Sequence, residues 1–439
     1  MNLNREIVFK SIFLFLICIS YFAGYFLREN AAGGGAEFFH MEWLTIQSLK
    51  KDFLYTIKNY GEFRDYTMPF PYIASAFLNP FSDNATNFQL SNTMISFSVF
   101  LILSIVTKKV FFSIKYIDAL LISSALLILP FFRTSAFWGK LDNLGWLFLI
   151  IAFYFFNEIK KNIKLEPTNK DLLNVIFFCL ASAFALYARQ ALFFLPISYL
   201  LYLYFYKANK KIIITSIISF AIFSIPGFLL MWTWGSVFHA VPGIEPWGSF
   251  FGGWINYNHV LKNMPILFSY FGFYLLPILI IEFFNTGYKS FNQTYAKNFL
   301  IVLVFLIILQ QLNLLSYLGN YSLGGGAVLK FNYLIKNNNF LLLLIFAAIG
   351  ASALIRFFKE DIKNNLTLLL PLIIVYGFPR LLYQEYVEPL ILVIFFLGIK
   401  TSLHKIYFKN ISFSHFISLL YFALFLAGSV YYKHFIFSS

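Results

Sequence analysis

Apolar residues run along this chain in long unbroken stretches separated by short polar breaks. The segment 212–232, IIITSIISFAIFSIPGFLLMW, is one such stretch. A barrel strand would alternate apolar and polar positions, whereas a spanning helix needs about 20 predominantly apolar residues in a row. The pattern predicts helices near 7–27, 91–107, 116–132, 144–156, 172–187, 191–206, 212–232, 265–283, 298–316, 340–355, 366–378, 387–399 and 413–432. In hydrocarbon, only helices and closed barrels pair every backbone N–H and C=O. The expected fold class is therefore all-α, a polytopic membrane protein of about 13 transmembrane helices. The first run follows basic residues, as a signal peptide would. It is long for such a segment and lacks a small-x-small cleavage site, so a retained helix is expected. The expected organisation is one transmembrane domain over 1–439, with a large first outer loop, 28–90, that carries interfacial helices.

Composition sharpens this picture. The chain is 60% hydrophobic and 12% charged, against about 25% charged in soluble domains. Its formal charge of +14 would suit nucleic acid, but the charges are unevenly placed. Alternate connections, starting with the N-terminus, hold 20 of the 33 Lys and Arg residues. Counting the acids, that side is net +12 and the other +2. The positive-inside rule then puts the N-terminus in the cytoplasm and the C-terminus outside, with membrane phospholipid as the partner of the basic side. Cys18 and Cys179 both fall in apolar runs, which excludes a disulfide framework or a thiolate metal site.

The polar sequence of interest gathers on the outward side. The first outer loop has a Gly-rich bend at 33–35, then Glu37, His40, Glu42 and Trp43, then an apolar stretch with prolines from Pro69 to Phe81. It reads equally well as an amphipathic structural loop or as one bearing acids for proton transfer. Arg189 and Gln190 interrupt two apolar runs in FALYARQALFFLP. Charge so close to membrane depth is costly and marks function by default, with the fork of Arg suited to phosphate or carboxylate. The competing reading is a snorkelling Arg at a helix end. Arg380, Gln384, Glu385 and Glu388 form a second polar group in YGFPRLLYQEYVEPLILV. They are expected to point into a cavity, or else to close a helix hairpin with an internal ion pair. Arg133, Lys140 and Asp142 fall in an expected outer turn, with Lys140 and Asp142 as a surface pair and Trp138 and Trp146 as interface anchors. His239, Glu245 and His259 are too scattered for a metal site. No Gly-Lys-Ser/Thr phosphate loop occurs, which argues against a nucleotide-driven pump.

The order of these segments resembles the polyprenyl-phosphate-sugar-dependent glycosyltransferases of the GT-C superfamily, most of all the dolichyl-phosphate-glucose glucosyltransferases of N-glycan precursor assembly. AEFFHMEWLTI (36–46) and RDYTMPFPYI (64–73) occupy the places of that family's acidic first-loop motifs. Arg189–Gln190 matches its later Arg-Gln, and Arg380–Pro389 its aromatic-rich final segment. The order covers the whole chain, and convincing residue matches about a tenth of it. The resemblance implies an inverting transfer on the non-cytoplasmic face, in a bacterial plasma membrane or the endoplasmic reticulum. The sugar would pass from a polyprenyl-phosphate donor to an acceptor such as a lipid-linked glycan, with no metal or other cofactor. It implies a catalytic acid in the first loop: Glu37 first, then Asp65 or Glu42. It further implies Arg189, Gln190, Arg380, Gln384, Glu385, His40 and His259 as substrate-binding residues. The family's leading loop acid is replaced here by Ala36. A purely structural scaffold would not explain Arg189 or the cluster after Gly377, and two other functions compete. A flippase or transporter for a lipid-linked glycan should show internal repeats, and an outward-facing oligosaccharide polymerase or ligase should carry its large loop late in the chain.

Overall fold

A computed structural model of the chain describes residues 3–33, 35, 37–63, 68–235, 257–312, 314–315, 326–334, 340–379 and 382–436. Among these residues every regular element is helical. Each of the thirteen predicted runs coincides with helix, usually longer than predicted because capping residues lie outside the apolar stretch. Helix Ala85–Val110, for instance, starts at Asn84, whose side chain accepts hydrogen bonds from the N–H groups of Thr86 and Asn87. Helix Asn169–Ala188 starts with a reciprocal cap between Thr168 and Asp171. Such caps satisfy N–H groups that the helix itself leaves unpaired.

Seven of the described helices are long and apolar enough to cross a membrane, or eight if one bent pair is a single span. The chain is an integral membrane protein of polytopic, helical architecture. The predicted helix at 116–132 is the bent pair. It breaks at Leu129, which is extended, and restarts at Pro130, with 73° between Tyr116–Ile128 and Pro130–Phe137. Proline lacks the N–H that would continue the first helix, but its fixed φ suits the opening turn of the second.

Two compact units divide the chain. The first comprises Met1–Pro196, Leu203–Phe250 and Phe422–Ser439, and the second Ile197–Tyr202 and Phe251–Tyr421. In the first unit the segment predicted as the first loop has a core of its own. Helices Leu44–Lys51, Phe53–Lys58 and Phe70–Leu78 bury Ile46, Leu49, Ile57, Tyr72 and Ala76 together with Phe38, Tyr60, Phe88 and Leu141. Full burial of a side chain such as Phe38 or Leu49 contributes on the order of 1.5–3 kcal/mol. The loop is also tied to helix ends. The Trp234 indole donates to the Ile57 carbonyl at 2.8 Å, and the Trp138 indole to that of Glu29 at 2.8 Å.

In the second unit, helix Tyr257–Thr286 packs on helix Leu341–Glu360. Gly272 and Gly350 let their backbones touch: a Cβ on either would overlap a carbonyl oxygen of the facing helix. Small residues at the crossing let membrane helices pack through van der Waals contact. At one end of this pair Arg356 joins Glu282, Tyr295, Glu360 and Ser402 in a buried polar network.

Candidate functional site

The site is assembled in the first unit, around the turn that joins helix Pro130–Phe137 to helix Asp142–Asn162. Polar side chains from Ala85–Val110 shape that turn. Asn92 donates its amide to the carbonyls of Ser135 and Ala136 at 2.9 and 3.0 Å, and Asn143 donates to Ser96 Oγ at 2.8 Å and the Phe132 carbonyl at 3.1 Å. Gly139 takes a left-handed φ of +65°, which lets the chain reverse.

Three residues of the turn then face three different things. Lys140 reaches back to the first loop and pairs with Glu37 at 3.2 Å. Leu141 enters the loop core. Asp142 pairs with Arg189 at 3.4 Å and accepts a hydrogen bond from the Ser135 hydroxyl at 3.5 Å. The predicted surface pair Lys140–Asp142 is thus superseded by partners from remote segments. Lys140 lies in the turn and Asp142 opens the next helix, so the two diverge instead of lining one exposed face.

Arg189 closes helix Asn169–Ala188 in extended conformation, φ −145° and ψ 111°, and the chain turns there into Gln190–Phe193. Its guanidinium lies 4.6 Å from the ring centre of Trp146. That indole is only 1% exposed, so Trp146 is a buried platform and not the predicted interface anchor. The Arg189 stem lies against Gly145, where an added Cβ would sit 2.7 Å from Cγ. With 7% of its surface exposed, Arg189 does not snorkel. An aromatic face and a carboxylate compensate its burial.

One turn of helix therefore serves two neighbours. Asp142, Gly145 and Trp146 hold Arg189, while Leu144 lines a cavity of about 600 Å³. Residues 74–81 of the loop and 87–95 of the adjacent helix form the rest of that lining, which is largely apolar. Ser91 and Asn79 put polar atoms at one place on it and are hydrogen-bonded at 2.8 Å.

The other anticipated residues are distributed as follows. Glu37 is exposed and precedes the helical turn Phe38–Trp43, which its side chain does not cap. His40 is exposed on that turn, and Glu42 is buried at 2%. Gln190 is half-buried beside Arg189 in sequence. Asp65, Ala36, Arg380, His239 and Glu245 lie outside the described residues.

In the second unit, Gln384 and Glu388 are 1% and 0% exposed. The Gln384 amide oxygen accepts from Ala327 N–H at 2.5 Å, its NH₂ donates to Tyr274, and Tyr274 donates to Glu388 at 2.7 Å. These two groups are bonded into the packing, as an internal closure and not as an open cavity wall. Glu385 is half-buried, and His259 lies 3.4 Å from the Phe378 carbonyl.

Arg133 departs furthest from its expected place. It is 1% exposed, inside helix Pro130–Phe137, and grips Glu29 with Nε at 2.8 Å and an NH₂ group at 2.6 Å. The outer turn predicted for it is a buried helix, because neutralisation by Glu29 lets the charge enter the packing. Lys433, near the C-terminal end, is a contributor the sequence does not signal. Its ammonium lies against Gly33, 2.8 Å from where a Cβ would be. Among the described residues no three His, Cys, Asp or Glu side chains converge as a metal site. No protein-family model matches the chain, and no curated protein matches it in sequence.

Proposed function

We propose that the chain is an integral membrane glycosyltransferase. In this reading it moves a sugar, with inversion, from a polyprenyl-phosphate donor to an acceptor hydroxyl on the non-cytoplasmic face of the membrane. The observation that carries the proposal is the turn Lys140–Asp142. It joins a first-loop carboxylate, Glu37, to a buried guanidinium, Arg189, with an apolar cavity on the same helical turn. An acid for proton transfer, a cation for a phosphate and an apolar recess for a lipid are the parts this reaction needs.

In this reading Glu37 accepts the proton of the acceptor hydroxyl as its oxygen attacks the anomeric carbon. The bond from that carbon to the phosphate oxygen breaks, and polyprenyl phosphate leaves with the bonding pair. Arg189 offers a planar fork to the leaving phosphate, which competes with Asp142 for it. Lys140 pairs with Glu37 at 3.2 Å before transfer. The cavity beside Leu144 suits the first isoprene units of the donor. Asp65 is the second candidate for the base, and Glu42, buried in the loop, is the third. The full topology belongs to the same proposal: thirteen spans, with the N-terminus cytoplasmic and the loop outside. The helices shorter than the seven long ones, among them Gln190–Phe205 and Ile362–Gly377, would be tilted or partly re-entrant.

The test is sugar transfer by the purified chain in detergent, with radiolabelled polyprenyl-phosphate hexoses and a lipid-linked acceptor extract. Glu37→Gln, Arg189→Met and Ala36→Asp are run beside it. The expected result is transfer by the unaltered chain, reduced on the order of 10²–10⁴-fold by Glu37→Gln and about 10²–10³-fold by Arg189→Met. Full activity in both variants would sink the site. Transfer only after Ala36→Asp would put the base at position 36. Silence throughout, over several donors, would reject the enzyme in favour of a carrier of lipid-linked glycans.

A further inference from the structure

The stretch between the first span and the loop helix is held at several points by remote parts of the first unit. Ala32 N–H donates to Thr134 Oγ1 at 3.0 Å. Gly35 packs on the Trp138 indole, where a Cβ would meet the ring at 2.8 Å. Gly33, at φ +88°, carries the ammonium of Lys433 on its open side. Lys433 itself sits half-buried on the turn Tyr432–Ile436 that ends the last helix, within electrostatic reach of Glu37. Lys140 approaches the same carboxylate at 3.2 Å from the opposite direction in sequence.

The Glu37 side chain is 53% exposed. One exposed ion pair is a weak restraint on a long side chain, because it is screened and must overcome rotamer freedom. A second cation within electrostatic reach, borne by a different element, adds to that restraint. Lys433 also packs against Gly33, four residues before the acid.

We propose that Lys433 is a positioning residue for the loop acid: it clamps the Gly33 bend and, with Lys140, flanks the Glu37 carboxylate. Its consequence for rate rests on the glycosyltransferase reading; the clamp does not. Lys433 touches no reacting atom in this scheme and acts through Glu37.

Two measurements on the full chain in detergent test it. In the first, Lys433→Met is expected to lower kcat on the order of 10-fold through misplacement of the base. KM for the donor should stay within about twofold, since donor contacts are untouched. Lys433→Arg should restore most of the rate. Unchanged kcat in Lys433→Met, or a loss that Lys433→Arg does not rescue, would overturn the positioning role. In the second, zero-length carbodiimide coupling is read by mass spectrometry. Peptides joining Glu37 to Lys140 and Glu37 to Lys433 are expected. Coupling to Lys140 without coupling to Lys433 would overturn the clamp. If the unaltered chain transfers no sugar, the enzyme reading fails while the coupling result still decides the clamp.

Discussion

Arg133 and Arg189 lie in the same unit, both nearly buried, both in segments that look alike in sequence, yet their surroundings differ in kind. Arg133 is enclosed by hydrogen bonds. Glu29 takes it with both carboxylate oxygens, and the carbonyls of Leu127 and Ser20 accept at 3.0 and 2.8 Å. Gly24 makes room for it on the first helix. Arg189 rests face-on upon Trp146 with its carboxylate partner at 3.4 Å, on a helical turn that also borders a cavity. The first arrangement is a staple between the first span, the start of the first loop and the bent helix. The second is a guanidinium set against an aromatic face, with the Asp142 carboxylate beside it. Burial of an arginine is thus uninformative until its partners are known.

The comparison is broken most directly by removing each cation in turn. Arg133→Met leaves the half-buried Glu29 carboxylate without its partner, and breaking a buried pair costs up to about 3–5 kcal/mol. The expected outcome is a large fall in thermal stability in detergent, or loss of expressed protein. Arg189→Met should leave the melting temperature within a few degrees while transfer collapses. Equal stability losses in the two variants would erase the distinction.

Histidines repeat the contrast on a smaller scale. His40 is exposed on the loop helix, whereas His404 is buried on the short helix Leu403–Lys409, outside the candidate spans, with Nε2 2.8 Å from the Phe395 carbonyl. Burial pushes the His404 pKa down from 6.5 to about 4, against the opposing effects of that carbonyl and of Glu360. Between these values the unfolded chain binds a proton that the folded chain refuses. Its contribution to stability is therefore complete above the unfolded pKa and is lost as pH falls toward the folded one. At pH 5 the loss is about 2 kcal/mol relative to pH 8. Thermal unfolding of the unaltered chain and of His404→Gln across this range measures it. A variant with the same pH sensitivity as the unaltered chain would assign the effect to other groups.

How far the sequence could lead is visible in these residues. Helical runs were legible because lipid permits so few backbone solutions, and Arg189 stood out because charge at that depth is rare. The break at Pro130 was written in the chain too, although a window of apolar residues averages over it. Partners were not legible. Glu29 is 104 residues from Arg133, Lys140 is 103 from Glu37, and nothing local in LFLAGSVYYKHF tells Lys433 to meet Gly33. Trp138 and Trp146 illustrate the same limit. Both resemble interface anchors, but one donates to a loop carbonyl and the other underlies a guanidinium. Pairing across the fold depends on which helices become neighbours, and hydropathy carries little of that.

Gly145→Ala sharpens the comparison with the smallest change, a single methyl. Helix Asp142–Asn162 should accept alanine readily, since Ala is favoured over Gly in a helix interior by up to about 1 kcal/mol. Against that, the new Cβ would stand 2.7 Å from Arg189 Cγ and 3.0 Å from Cδ, so the arginine stem must move. Overpacking of this kind costs roughly 1–3 kcal/mol where the neighbour is rigid and less where it is a flexible stem. The two effects nearly cancel in stability, but they do not cancel at the guanidinium, which is levered away from Trp146 and Asp142. Transfer is expected to fall on the order of 10-fold at nearly unchanged melting temperature, about 1.4 kcal/mol of lost transition-state stabilisation. A matching methyl at Gly24 meets the Arg133 guanidinium itself, which its hydrogen bonds hold fixed, so that variant should lose stability instead. If Gly145→Ala lowered stability as much as Gly24→Ala and left transfer intact, Arg189 would be a staple like Arg133.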